Sequence, residues 1–387
     1  MKKLFFLLSS MNVGGVEKAF LGLLSAIPLD KYEVHLGLIQ KKGGFLEFLP
    51  KEVKIHEISV YNKYWRFIND PPLQNIKSLL KKGHFIDALV HLFLYIQFKL
   101  SGNRYWFYKY ILREEPMMAE RFDLAVTFAG PSQMMDYYIC EKVNAKVKCG
   151  WIHFDVSKFG IDRGMTNRLY KKYQKVFIVS ETGKEIFDGL FPQFKDKTEV
   201  FYNIVSPDQV IRLAEAGGSF CDNFDGERIL TVGRISEEKG QRVAIEALKN
   251  LLLKDINVKW YFVGDGKDKD YCEKLAESLG IREKVVFLGT QINPYGFMKD
   301  CDLYMQPSRQ EGFCITLAEA LCFPNPIVAT NFTGAKEQLL YRANGVVTGM
   351  SAEEITDGLI IASKKGQLKD MKKPQLRNDN SKLLNLL

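Results

Sequence analysis

Two glutamates in the last third of the chain have the type and spacing to hold a polyhydroxylated substrate. Glu311 lies in a loop after the stretch 302–308, which is expected to be a short buried strand stopped by a proline. Glu319 follows, with seven residues between the two, on the helix that this loop is expected to enter. Backbone N–H groups near 313–316 lack partners at such a helix start, where the helix dipole also favours an anion. The segment predicts a phosphate seat with two hydroxyl-binding carboxylates beside it. A sugar joined to a nucleoside through a diphosphate has this polarity. The residues of the predicted seat are Phe313, Cys314, Ile315 and Thr316.

A pair of cations is expected at the end of another strand. Gly233 follows the apolar run 228–232, and Arg234 and Lys239 come next, before a helical pattern. Seen alone, such a pair is usually solvated charge on the surface. It can also neutralise a departing diphosphate, whose negative charge grows as the bond to the sugar breaks, without help from a metal ion. The residues by themselves leave both interpretations open.

These two segments together resemble a known family. The stretch 309–320 carries the E-x7-E spacing, and residues 232–240 read Val-Gly-Arg-Ile-Ser-x-x-Lys-Gly. Both are similar to the retaining glycosyltransferases of family 4, the glycosyl transferases group 1. The resemblance implies the α/β fold class GT-B, with two facing Rossmann-like domains that have parallel sheets and a central cleft between them. The chain departs from the family at Cys314, where many relatives have glycine.

The resemblance also implies roles for individual residues. Glu311 would face the donor sugar and Glu319 the ribose hydroxyls, while Arg234 and Lys239 would clamp the diphosphate. His153, at the end of a predicted strand, would point at the donor sugar, although a lone histidine there is more often structural. Further contacts to the donor are implied at the glycine-rich turn after the first strand and at the ends of later strands, namely at Gly14, Gly15, Asp265 and Gln291.

The elements that must position these residues alternate between apolar runs and helical patterns, which is the rhythm of parallel βαβ sheets. Within this pattern, residues 1–10 are expected to form a buried strand and not a signal peptide. A cluster of Gly, Ser and Asp predicts the link between two domains. The predicted organisation is an acceptor-side domain at 1–205 with a helical insert at 60–118, a linker at 206–226, a nucleotide-sugar domain at 227–365, and a tail at 366–387 that packs back as a short helix.

One segment within the insert, residues 63–113, carries nearly all of the excess charge of the chain. Between residues 63 and 113 nine Lys and Arg face only two acids, a net charge of +7 out of +8 for the whole chain, and tyrosines and tryptophans are interspersed. One interpretation is a helix packed into the first domain. The other is a surface that meets anionic lipid headgroups. We expect peripheral attachment at the cytoplasmic, inner face of the plasma membrane, since no apolar run approaches 18 residues.

Composition and one further motif narrow the class of protein and the cofactors and partners to be expected. With 46% apolar and 26% charged residues the chain is ordinary for a globular protein, and its seven scattered cysteines suit reduced thiols in the cytosol. Asp268-Lys269-Asp270 is an Asp-x-Asp of the kind that holds a metal ion in other glycosyltransferases, but acids at a helix start are favoured by the dipole anyway. We therefore expect no metal, no other cofactor and no nucleic-acid partner.

The function predicted on these grounds is transfer of a hexosyl group from a nucleotide sugar, UDP being the expected nucleotide, with retention of configuration. The expected acceptor is a saccharide or a lipid-linked saccharide in cell-surface polysaccharide biosynthesis. Two alternatives stay open: a sugar-nucleotide epimerase or hydrolase of the same fold, and a non-catalytic partner subunit.

Overall fold

The predicted strands form two separate parallel sheets in the computed structural model, which describes residues 1–58, 60–158, 161–340, 342–365 and 381–386. Each sheet belongs to one compact unit. The first unit contains Met1–Val179, Gly183–Phe201 and Asp379–Leu387, and the second contains Ser180–Thr182 and Tyr202–Asn378. The predicted fold class, two Rossmann-like domains built on parallel sheets, is confirmed at this level.

The first sheet has the order β3-β2-β1-β4-β5-β6-β7 among the described residues, and its paired strands are parallel. Its centre is β1, the buried strand expected at the amino terminus, which pairs with both β2 and β4. The strand order reverses there, which is where ligands bind in open α/β sheets. The strands are β1 Lys2–Leu8, β2 Tyr32–Leu38, β3 Lys54–Glu57, β4 Arg121–Gly130, β5 Asn144–Ile152, β6 Lys175–Ile178 and β7 Thr198–Val200.

Helices connect these strands, and four of them make up the insert between β3 and β4. All four lie within the helical insert that was expected at 60–118. The helices are α1 Gly15–Ala26, α2 Val60–Asn69, α3 Pro72–Lys81, α4 Phe85–Ser101, α5 Tyr105–Ile111, α6 Gln133–Lys142, α7 Arg163–Leu169 and α8 Glu181–Leu190. No helix within the described ranges is long and apolar enough to cross a bilayer.

The second sheet has the order β10-β9-β8-β11-β12-β13 in the described part of the chain, again with a reversal in the middle, between β8 and β11. The strands are β8 Glu227–Val232, β9 Val258–Val263, β10 Val285–Phe287, β11 Leu303–Gln306, β12 Ile327–Thr330 and β13 Gly345–Thr348. The helices are α9 Pro207–Ala216, α10 Gln241–Leu252, α11 Lys269–Ser278, α12 Tyr295–Asp300, α13 Ile315–Ala320, α14 Ala335–Leu339 and α15 Ala352–Lys365.

The segment predicted as a linker, 206–226, contains the helix α9. Ser206 caps it by accepting a hydrogen bond from the backbone N–H of Gln209, Pro207 occupies its first turn, and Val210 and Ala214 are buried. The prediction gave too much weight to the glycines and serine at 217–219 and overlooked the Ser-Pro helix start ahead of them.

The predicted tail at 366–387 is described only over 381–386, so the expectation for 366–380 lies outside the described residues. In the described part a short helix, α16 Ser381–Leu384, belongs to the first unit. There the Lys382 ammonium donates to the carbonyl of Val200 at 2.8 Å and lies 3.5 Å from Glu199 Oε1.

Candidate functional site

The loop after β8 and the loop after β11 touch through a glycine. Gly240 has φ +74°, and a Cβ built there would lie 1.9 Å from the carbonyl oxygen of Pro307. A larger residue would therefore force the loops apart as well as strain the backbone. This contact brings the Lys239 ammonium to 2.6 Å from Glu311 Oε1, although the two residues are 72 positions apart in the chain.

The Lys239–Glu311 ion pair is largely shielded from water, with side-chain exposures of 20% and 10%. Burial by itself would lower the pKa of Lys239, but the charge of Glu311 and the hydrogen bond to it raise that pKa above its ordinary value. Lys239 is therefore held as a cation in the unliganded protein. A diphosphate entering here would compete with a carboxylate for this cation.

A chain of buried hydrogen bonds orients Glu311. Ser308 Oγ donates to Glu311 Oε1 at 2.7 Å, and Gln306 Nε2 donates to Ser308 Oγ at 2.9 Å. The side-chain amide oxygen of Gln306, Oε1, in turn accepts from the hydroxyls of Tyr304, at 2.8 Å, and Thr316, at 3.1 Å. Sequence reasoning missed Gln306 and Ser308. The available signal was a polar residue at the end of an otherwise apolar strand and a second polar residue two positions later.

Arg234, the second predicted clamp residue, is in a different situation. Its side chain is 70% exposed, and its guanidinium lies 3.4 Å from Glu238 Oε1, one helical turn along the chain. An exposed pair of this kind contributes little to stability. The structure thus brings Lys239 to Glu311 and leaves Arg234 at the surface.

Glu319, predicted to bind ribose hydroxyls, lies on α13 and is only 3% exposed. One carboxylate oxygen accepts a hydrogen bond from the Tyr295 hydroxyl at 2.7 Å. Burial, together with the charge of Glu319, raises the pKa of Tyr295. Sequence reasoning did not identify Tyr295, because the pairing joins two helices that only the fold brings together.

The predicted phosphate seat is partly occupied by protein groups, which corrects the expectation that its N–H groups are all free. With its amide turned so that both atoms face complementary groups, Gln338 donates to the Cys314 carbonyl at 3.1 Å and accepts from the Cys314 N–H at 3.2 Å. The Cys314 thiol is buried, lies 3.2 Å from Thr316 Oγ1, and has a pKa raised by burial and by the Glu311 charge. In the same segment Ile315 is buried, and the half-buried Phe313 ring lies 6.1 Å from that of Tyr202.

Asp265 and Gln291 follow β9 and β10, at the edge of the sheet where Gly233 follows β8. A Cβ on Gly264 would lie 2.0 Å from the Gly233 carbonyl oxygen, so these loops are packed backbone to backbone. The exposed Asp265 carboxylate accepts from the Gly266 N–H at 2.8 Å, and the half-buried Gln291 amide donates to the Leu288 carbonyl at 2.9 Å. Both side chains brace their own loops.

In the first unit, His153 follows β5 and is 6% exposed. Burial lowers its pKa to about 3, while a hydrogen bond with the Phe128 backbone acts in the opposite direction, so the ring is neutral near neutral pH. The Nε2 atom is buried and has no hydrogen-bond partner among the described residues. A neutral imidazole has one nitrogen that carries a lone pair, and Nε2, which has no partner in the described part of the chain, can accept from a hydroxyl group in that state.

The twin glycines of the first unit lie where β1 gives way to α1. Gly14 is the residue before the helix, with an extended backbone, and Gly15 is its first residue. A Cβ on Gly14 would meet the Glu17 carboxylate at 2.5 Å, whereas a Cβ on Gly15 would meet nothing within 4 Å. The open side of Gly15 leaves backbone accessible at the start of a helix.

Possible metal ligands are already paired with cations. Asp268, of the Asp-x-Asp motif, lies 2.9 Å from the Arg242 guanidinium. Within the described ranges, three ligand atoms come within 4.8 Å of one another at Glu33, His35 and Glu120. Hydrogen bonds from Lys54 and His35 lower the pKa of Glu33 to about 2, and Lys3 lies 2.8 Å from Glu120. This cluster lies at the amino-terminal ends of β2 and β4, and its charges are already balanced.

Comparison with known proteins identifies glycosyltransferases as similar to this chain, and the family match lies in the second unit. Residues 223–378 match the model of the family described as Glycosyl transferases group 1. Over 185 residues the chain is 30% identical to an uncharacterized glycosyltransferase of Methanocaldococcus jannaschii. This alignment covers 46% of this chain and 45% of that protein. The chain thus spans less than half the length of that relative.

Two further similarities extend over most of the chain. Over 342 residues it is 27% identical to the N-acetylgalactosamine-N,N'-diacetylbacillosaminyl-diphospho-undecaprenol 4-alpha-N-acetylgalactosaminyltransferase of Campylobacter jejuni, covering 87% of this chain and 83% of that one. The structure of HepE from Anabaena in complex with UDP-glucose aligns with a TM-score of 0.65 at 18% identity and covers 100% of both chains. At this identity the likeness shows the fold.

Proposed function

This chain belongs, through residues 223–378, to the glycosyl transferases group 1, and on that premise we propose that it transfers a hexosyl group from a UDP-sugar to a saccharide or lipid-linked saccharide. The reaction proceeds with retention of configuration and serves cell-surface polysaccharide assembly. The C. jejuni relative, whose name describes transfer to a sugar on diphospho-undecaprenol, supports this acceptor class. The HepE complex with UDP-glucose supports the donor class.

The observation that carries the proposal is the shielded Lys239–Glu311 pair after β8 and β11. A diphosphate that approaches Lys239 replaces Glu311 as the anion paired with this cation. Glu311 is then free to accept a hydrogen bond from a sugar hydroxyl. As the bond between sugar and phosphate breaks, negative charge grows on the phosphate oxygens beside a cation already in place. A preorganised charge of this kind lowers the barrier because it needs little reorganisation during the reaction.

The exposed Arg234 supplies the second charge. Its pair with Glu238 is weak, so little free energy is lost when the guanidinium turns from that carboxylate to the diphosphate. Guanidinium also binds phosphate oxygens in a bidentate manner, which an ammonium group does not. Lys239 is thus the fixed part of the clamp and Arg234 the part that is recruited by the donor.

His153 contacts the sugar as a neutral acceptor in this proposal. Its pKa, lowered to about 3, keeps the ring uncharged, and the buried Nε2 atom can receive a hydroxyl hydrogen bond. We assign no covalent nucleophile to the retaining transfer. The reaction needs no metal, since Lys239 and Arg234 carry the charge-neutralising role, and the protein works at the cytoplasmic face of the plasma membrane through its basic insert.

The test is binding and turnover with a panel of nucleotide sugars. A productive donor should raise the thermal unfolding temperature, because a ligand that binds only the folded state stabilises it by mass action. Lys239→Ala should remove most of this shift, whereas Lys254→Ala, at an exposed lysine of the same unit, should keep it.

Product analysis with and without acceptor separates the alternatives. Release of free sugar or an epimerised nucleotide sugar at the same rate in both reactions would replace transfer with hydrolysis or epimerisation. If no nucleotide sugar in the panel binds, the chain is the non-catalytic partner instead. The anomeric configuration of the first product, read by NMR, decides between retention and inversion.

A further inference from the structure

The helix α4 presents an apolar face to solvent. Five large apolar side chains recur along it at spacings of three and four residues, which places them on one side of a helix. Each is between 47% and 85% exposed. They are Ile86, Leu89, Phe93, Ile96 and Leu100. We refer to these five residues as the α4 stripe.

The opposite face of α4 accounts for the packing of this helix. Ala88 clusters with Ile76 and Leu79 of α3, and the His91 ring stacks on Phe67 with centroids 4.4 Å apart. Leu94 is buried as well. Among the described residues, α4 is therefore held in the insert mainly through this opposite face, and the packing described there does not explain why the α4 stripe is apolar.

Cations and aromatic side chains surround the stripe in the sequence and are exposed in the structure. Lys77, Lys81 and Lys82 are exposed on and just after α3, and Lys99 is exposed on α4 itself. On α5, the half-exposed Trp106 has the Lys109 ammonium 4.8 Å from its ring centroid. An apolar helix face with flanking lysines and tryptophan is the composition of a helix that lies in a membrane interface.

We propose that the α4 stripe inserts into the boundary between headgroups and acyl chains of an anionic bilayer, with the lysines of α3 on the lipid phosphates. At 17 residues the helix is about 25 Å long, which suits a position in the membrane plane. This goes beyond the electrostatic contact expected from composition alone, because apolar insertion leaves a component of binding that salt does not release. The proposal does not depend on the donor site.

Charge decides between lipid and a second copy of this chain as the occupant. A symmetric dimer through the α4 stripe would bring together two copies of the segment 63–113, each with a net charge of +7. Like charges at that density repel, whereas the same segment is attracted to phosphatidylglycerol or another anionic lipid. The favoured occupant is therefore the bilayer.

The test uses the full chain and vesicles of phosphatidylcholine with or without phosphatidylglycerol. The triple variant Ile86→Gln, Leu89→Gln, Phe93→Gln should bind anionic vesicles about a hundredfold more weakly than the unchanged protein. Leu253→Gln, at an equally exposed apolar residue of the second unit, should bind normally. Because the substituted side chains are exposed, both variants should unfold at the same temperature as the parent and bind UDP equally well.

Salt and depth measurements complete the test. The charge-reversal variant Lys77→Glu, Lys81→Glu, Lys82→Glu should lose binding, and high salt should weaken parent binding without abolishing it. A fluorophore on Phe93→Cys, in a Cys221→Ser background, should shift to shorter wavelength on vesicles, while one on Lys254→Cys should not. Normal vesicle binding by the glutamine triple variant, complete release by salt, or a dimer that this variant dissociates would each overturn the proposal. If the unchanged protein binds vesicles as expected but does not bind UDP, the proposed function is contradicted and the membrane proposal is not.

Discussion

The carboxyl-terminal edges of the two sheets carry opposite kinds of chemistry. After β8 and β11 of the second sheet lie charges that are largely shielded from water and already paired, as in Lys239 with Glu311. After β5 of the first sheet, the buried group is His153, which is neutral and has an unpartnered acceptor atom. The second edge suits a charged diphosphate, and the first suits uncharged hydroxyl groups. Two domains of the same fold thus present groups of opposite polarity at the corresponding edges of their sheets.

The largest expected effect is at the fixed cation. Lys239→Ala should lower kcat/KM by roughly 10²–10³, the scale for loss of one preorganised charge-stabilising group. It should also reduce the free energy of unfolding by about 2–4 kcal/mol, because Glu311 is left shielded from water without its partner. Chemical denaturation and steady-state kinetics measure the two effects. Adding Glu311→Gln should recover stability but not activity, and recovery of both would contradict the proposed role.

The two glutamates should differ in which step they affect. Glu311→Gln should lower kcat by about 10²-fold without weakening the affinity for UDP, since the residue is assigned to the sugar and its charge no longer competes with the diphosphate for Lys239. Glu319→Gln should weaken UDP binding, with Tyr295→Phe as a matched variant that removes only the hydroxyl donor to Glu319. The measurements are calorimetry with UDP and kinetics with the UDP-sugar. If the sugar lies at Glu319 and the ribose at Glu311, the two variants should show the reverse pattern.

Arg234→Ala sharpens the contrast between the recruited and the fixed cation. We expect kcat/KM to fall by about 10²-fold, yet the free energy of unfolding should stay within about 0.5 kcal/mol of the parent because the side chain is exposed. Arg309→Ala, at an exposed arginine in the neighbouring loop, is the control. A stability loss as large as that of Lys239→Ala would show that the two cations are equivalent in the unliganded protein.

His153 tests the neutral edge through pH. Its pKa is lowered to about 3 in the folded state, so the unfolded chain binds a proton below pH ~6.5 that the folded chain excludes. Its contribution to stability is therefore fully present above that pH and is lost as pH falls towards 3. Between about pH 7 and about pH 5 the loss should be near 2 kcal/mol.

His153→Gln should remove this part of the pH dependence, as measured by urea unfolding at both pH values. His56, whose pKa is also lowered, and Asp136, whose pKa is raised to about 6, titrate in both proteins and cancel in the comparison. An unchanged pH dependence in the variant would mean that His153 is accessible to protons in the folded state.

The smallest expected effect is that of metal removal. Activity should persist in EDTA, since Lys239 and Arg234 are proposed to neutralise the leaving group. Loss of activity that Mg²⁺ or Mn²⁺ restores would move attention to Asp268 and Asp270. It would also show that the charges after β8 are insufficient by themselves.

Much of the fold followed from local patterns in the chain. The strands β1, β8 and β11 and the helical insert were expected close to where they lie, because apolar runs and helical spacing are properties of short segments, whereas β13 was not expected. The helix α9 was missed because the glycines that follow its carboxyl-terminal end were given more weight than its Ser-Pro start. The paired state of the predicted phosphate seat was also missed, since Gln338 reaches Cys314 from another loop.

By itself, the sequence determined the types and spacings of Glu311, Glu319, Arg234 and Lys239 and the charge of the insert. Only the tertiary structure decided that Lys239 pairs with Glu311 while Arg234 stays exposed, because that choice depends on two loops 72 residues apart meeting at Gly240. It decided likewise which face of α4 is covered. The sequence of α4 is apolar on most sides, so neighbouring helices, and not periodicity, select the stripe that remains in contact with solvent.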